Sequence, residues 1–150
     1  MLPFDKYPQS GMKLLGQPKD WSNCRHGCGL ELMRLTRLYR CAYCDKDLTH
    51  EYHTWLLMEV DHVITKKMAK RLGLEKRFYD DFTNLVLSCS GCNHFCNQYD
   101  DKTVSTPDAG WTEEAFVQLR DRVFRERFAK VSQRRTEEIA FFEGKPWSST

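Results

Sequence analysis

The hydrophobic positions of this chain change their period several times, and each change marks an element. Residues 1 to about 28 show no period; Pro, Gly and polar residues interrupt them, which predicts an irregular arm. Leu30-Glu31-Leu32-Met33-Arg34-Leu35-Thr36-Arg37-Leu38-Tyr39 combines good helix formers with no breaker and predicts a helix. A tight Cys41-Ala42-Tyr43-Cys44 knuckle and a polar turn over residues 45–53 lead to the apolar run Trp55-Leu56-Leu57-Met58. That run predicts a strand from about residue 55 to 60. Residues 65–78 predict a basic helix or ordered loop. Asn84-Leu85-Val86-Leu87-Ser88-Cys89 predicts a second strand, with a short helix starting near Gly91.

Residues 100–110, with Thr106-Pro107-Asp108, predict a linker. Thr112 then stands as a helix cap ahead of Glu113 and Glu114, whose charges suit a helix N-terminus. The helix that follows carries Phe116, Leu119, Val123 and Phe128 along one side, with Val131 near the stripe and arginines over much of the other. Gly144 and Pro146 close it. The expected organisation is an N-terminal arm and helix (1–38), a core (39–99), and a linker with a C-terminal helical extension (100–150), all in one compact domain.

Composition narrows the class. With 41% hydrophobic and 29% charged residues, the chain reads as globular, neither disordered nor membrane-spanning. No apolar stretch approaches the ~20 residues that cross a bilayer. The N-terminal residues lack a basic segment followed by an apolar one, so the cytoplasm is the expected compartment. Net charge is only +2, but Lys66, Lys67, Lys70, Arg71, Lys76 and Arg77 crowd one segment, with Glu75 the only acid among them. Such a face binds phosphate or is simply a solvated helix surface, and composition does not choose between the two.

Seven cysteines in a chain without an export signal point to metal rather than disulfides. Cys41-x-x-Cys44 and Cys89-x-x-Cys92 are two knuckles, each able to present two sulfurs to one ion; together they make a closed thiolate site for structural Zn2+. A segment this short buries little core, so a metal clip adds folding energy. Cys24, Cys28 and Cys96 remain, either as free thiols or, for Cys24-Arg25-His26-Gly27-Cys28 together with Cys96 or His94, as a second site.

Between the knuckles lies Glu59-Val60-Asp61-His62-Val63, a carboxylate and an imidazole where a strand ends. Knuckle, V-D-H-V, N-L-V-L-S-C and then C-N over residues 39–97 resemble the zinc-containing His-Asn-His (HNH) endonucleases. That resemblance implies an α+β fold: two antiparallel strands and a helix around one metal ion, the ββα-metal core, with flanking helices. It implies a metal-dependent DNA endonuclease in which His62 is the general base, Asp61 and Asn93 hold catalytic Mg2+ or Mn2+, and Asn84 fixes the loop that orients the base. His94 is the rival to Asn93. Lys66, Lys67, Lys70 and Arg71 are the expected nucleic-acid contacts.

Two departures from the family are visible: residues 64–71 replace its usual Pro and Gly-Gly turn, and Cys96 stands where a lysine commonly follows. Duplex DNA is the expected partner, with RNA also open, no membrane, and monomer or homodimer undecided. The alternative is a zinc-framed module that binds nucleic acid or protein without catalysis. Because side chains alternate along a strand, Asp61 and His62 can serve one phosphate only if the chain twists between them.

Overall fold

The computed structural model describes residues 1–148. After two one-turn 3-10 helices, Pro3–Lys6 and Pro8–Gly11, come α1 (Cys28–Thr36), α2 (Tyr52–Leu56), β1 (Met58–His62), α3 (Lys66–Arg71) and α4 (Lys76–Tyr79). A 3-10 turn, Phe82–Asn84, enters β2 (Leu85–Cys89), followed by α5 (Ser90–Cys96) and the long α6 (Glu113–Glu143). The result is a small α+β fold. Its only sheet among the described residues is the antiparallel β1–β2 pair, in register from Met58 opposite Cys89 to His62 opposite Leu85. Helices α1 and α5 both pack on this pair, and α6 packs along α5. No described helix is long and apolar enough to cross a membrane.

Several boundaries differ from the sequence expectation. The apolar run before Met58 is helical, with the Thr54 hydroxyl donating to the Glu51 carbonyl at 2.9 Å. A strand there would have no partner, because β2 stops at Cys89 where the chain turns into α5. Leu56 and Leu57 are accordingly exposed. The helix expected through Tyr39 stops at Thr36, where Arg37 takes a left-handed φ of 59° and its amide bonds the Met33 carbonyl. The basic segment is two short helices, separated where Gly73 adopts φ 60°.

The N-terminal segment, irregular as expected, is part of the core. Phe4 and Tyr7 are buried, Phe4 packs edge-on against Phe124, and the Tyr7 hydroxyl donates to the Leu85 carbonyl at 2.5 Å. Thr112 caps α6 by accepting from the Ala115 amide at 3.1 Å. Phe116, Leu119, Val123 and Val131 are buried as the stripe implied, but Phe128 is 42% exposed, and Arg120 and Arg127 sit in the buried face. Spacing carries a signal for this: 116, 120, 123, 127 and 131 follow the three-to-four alternation of one helical face. Arg120 lies over the Phe4 ring and donates to the carbonyls of Gly11 (2.6 Å) and Thr83 (3.2 Å).

Candidate metal centre and active site

The two knuckles converge because the hairpin brings them together. Cys89 is the last residue of β2 and Cys92 lies in the first turn of α5, while the Ala42 amide donates to the Leu87 carbonyl at 2.9 Å and ties the first knuckle to the strand. The sulfurs of Cys41, Cys44, Cys89 and Cys92 all lie within 4.8 Å of one another. Cys44 and Cys89 are separated by 3.8 Å. That is far beyond a disulfide bond of ~2.05 Å and equals the edge of a tetrahedron with arms of ~2.3 Å, the zinc–thiolate length. Hydrogen bonding among the thiols splits their proton affinities: bonds from Cys41 hold Cys44 low and bring Cys89 down to about 6, while Cys41 and Cys92 are pushed up. The cluster can hold a metal such as zinc.

The remaining three cysteines do not join it. Cys24 is hydrogen-bonded to Cys28, which pushes its thiol pKa up, and Cys96 is buried near Tyr43 and Arg127. Among the described residues they assemble no second ligand group, and His94 is exposed.

His62 ends β1 with its side chain 15% exposed. Its Nε2 lies 3.0 Å from Asp80 Oδ1, and the Trp21 indole stacks on the imidazole at 5.5 Å and 15°. Lys66 Nζ and Lys76 Nζ lie 3.7 and 3.9 Å from the two Asp80 oxygens, and Lys66 also covers the Trp21 ring at 5.3 Å. Burial lowers the His62 pKa below its ordinary value, with the Asp80 hydrogen bond opposing. A neutral imidazole that donates from Nε2–H to the Asp80 carboxylate keeps Nδ1 as its basic nitrogen.

Asp61 and His62 point to opposite faces of the regular ladder, in register with Val86 and Leu85. Asp61 is 4% exposed; Arg127 Nη2 lies 2.8 Å from its Oδ2, and the Tyr43 hydroxyl donates to the same oxygen at 2.5 Å. Burial raises the Asp61 pKa, and the Arg127 charge opposes that rise. Arg127 Nη1 also donates to the carbonyls of His62 (2.7 Å) and Val63 (2.8 Å), clamping the end of β1. Asn84 clamps the other side: its Oδ1 accepts from the Ile64 amide at 2.9 Å, and its Nδ2 donates to the carbonyls of Ile64 (3.0 Å) and Tyr79 (2.8 Å). Asn93 and Asp61 share no partner, because the Asn93 amide donates to Glu59.

Of the expected nucleic-acid contacts, Lys66, Lys67 and Lys70 are exposed. The Arg71 guanidinium is engaged by Asp100 Oδ1 (2.9 Å) and the carbonyls of Asp101 (2.7 Å) and Val104 (2.9 Å), so it anchors the linker. Asp80, Trp21, Lys76 and Arg127 were missing from the expected site. The one local hint was Asp80-Asp81, an acidic pair closing a basic segment. The chain matches no family model, no curated protein and no solved structure.

Proposed function

We propose that this chain is a nucleic-acid phosphodiesterase, an endonuclease on the HNH plan acting on duplex DNA, with structural zinc at Cys41, Cys44, Cys89 and Cys92. The observation that carries the reading is the His62–Asp80 pair at the end of β1, flanked by Lys66, Lys76 and Trp21. Asp80 fixes the imidazole tautomer, and His62 takes the proton from a water that attacks phosphorus as the P–O3′ bond breaks, the departing oxygen taking its proton from solvent. The two ammonium groups supply positive charge for the phosphate and for the charge that builds on it in the transition state. Arg127 and Asn84 hold the backbone on which His62 is mounted.

The resemblance also implies Mg2+ or Mn2+ at Asp61 and Asn93. These residues do not fit an ion in this arrangement: a guanidinium already stands beside Asp61, and the Asn93 amide faces Glu59. Arg127 must release Asp61 before a second cation could enter there. That seal favours one other reading, a zinc-framed module that binds nucleic acid without cutting it.

Plasmid cleavage by the zinc-loaded protein, with and without Mg2+ or Mn2+, separates the two. The nuclease reading expects nicking or cutting by the wild type and a loss of ~10²-fold or more in His62→Ala with DNA binding retained. Binding without cleavage of duplex DNA, single strands or RNA under any of these conditions would establish the binding module instead.

A further inference from the structure

The last buried residue of α6 is Val131, yet the helix continues to Glu143. These final turns form an arm of roughly 18 Å at 1.5 Å per residue, with Ile139, Phe141, Phe142 and Trp147 between 47% and 66% exposed. At 100° per residue, Phe128, Ile139 and Phe142 fall on one helical face, with Ser132 and Arg135 on the same face between Phe128 and Ile139. The Trp147 ring packs on Phe142 at 5.3 Å and extends that stripe. An apolar stripe on a helix that leaves its own core is unpartnered surface of the kind that marks an interface.

The chain also carries a matching receptor. A groove of about 910 Å³ runs beside the base of the same helix, with Leu38, Tyr39, Phe124 and Phe128 among its apolar walls. Lys6, Arg37, Arg40 and Arg125 line it against only two acids, Asp5 and Asp45. From Ser132 to Lys145 the arm carries Glu137, Glu138 and Glu143 against Arg134, Arg135 and Lys145. Arg134 lies 3.4 and 3.6 Å from Glu137 and Glu138, so acids are in excess only beyond Thr136, toward the arm's end. Phe128 belongs to both features, at the root of the arm stripe and on the lip of the groove.

We infer that the groove seats the α6 arm of a second copy of this chain, giving a two-fold dimer in which each arm lies in the partner's groove. A two-fold contact uses the same patch on both subunits, and a stripe that runs out of one groove into the next meets that requirement. Acidic arm ends against basic grooves set the direction of docking. The inference does not rest on the nuclease reading.

Sedimentation equilibrium of the full zinc-loaded chain across micromolar concentrations tests it. The expected mass is twice the 17.8 kDa of one chain. Ile139→Asp with Phe142→Asp should weaken the dimer by roughly a hundredfold, and so should Phe128→Asp. Helix content and zinc content should stay unchanged, because these side chains are exposed. A wild-type monomer at every concentration overturns the inference. A dimer lost with the arm variant but kept by Phe128→Asp also overturns it, because the arms would then be pairing with each other outside the groove.

Discussion

Replacing Arg127 by methionine removes a cation from a position that is 0% exposed and leaves three acceptors behind. Asp61 loses the guanidinium 2.8 Å away, and the carbonyls of His62 and Val63 lose donors at 2.7 and 2.8 Å. Breaking a buried ion pair from one side costs ~3–5 kcal/mol; unsatisfied carbonyls add ~1–3 kcal/mol. Methionine fills much of the vacated volume, so the cavity contribution is small. Asp61 limits the damage by taking up a proton. Burial already raises its pKa, and losing the opposing Arg127 charge raises it further. The expected net loss is about 4 kcal/mol at neutral pH.

The sign of the pH dependence follows. A carboxyl whose folded pKa lies above its unfolded value favours folding at low pH and loses that contribution as pH rises through the folded pKa. The gap between variant and wild type should therefore narrow as pH falls from 7 toward the ordinary aspartate range. Urea unfolding of the zinc-loaded proteins, followed by tryptophan fluorescence, measures both effects. Adding Asp61→Asn to Arg127→Met should recover at least ~1.5 kcal/mol relative to additivity. A loss under ~1 kcal/mol, or strict additivity, would refute the clamp.

Other outcomes are expected of the same structure. Removing the metal with a chelator, or changing Cys92→Ser, should abolish cooperative unfolding, because the cluster joins two segments that the short hairpin alone holds weakly; metal analysis and circular dichroism check this. The acid limb of the cleavage profile should fall below the ~6.5 of a free imidazole, since burial lowers the His62 pKa. Asp80→Asn removes an upward pull, so it should move that limb lower still and slow cleavage by ~10-fold or more. If Lys66 and Lys76 meet phosphate, changing both to Gln should flatten the dependence of log K on log salt by ~0.9 for each phosphate no longer neutralised.

Some of this was legible because it is local. The two Cys-x-x-Cys knuckles, the Thr112 cap and the β2 run are each written in a few adjacent residues, and each occurs where its pattern places it. The misreadings share a cause as well. The Trp55-Leu56-Leu57 run has the composition of a strand, but a strand exists only where another offers a ladder, and β2 ends too soon. Arg120 and Arg127 have the look of solvated charge in the sequence, yet backbone carbonyls from residues 11, 62, 63 and 83 receive them in the core.

By itself the sequence determined which cysteines could be metal ligands, where the imidazole sits in the chain and that α1 and the long α6 would be helical. Only the tertiary structure decided what faces that imidazole. Asp80, Trp21 and Lys66 come from separate segments, and Asp61 is directed instead to Arg127 of the last helix. The physical reason is that partner choice for a buried polar group is made by whatever donor or acceptor folding brings within ~3 Å. Spacing along a chain specifies that distance only across a turn or two of helix or a tight hairpin.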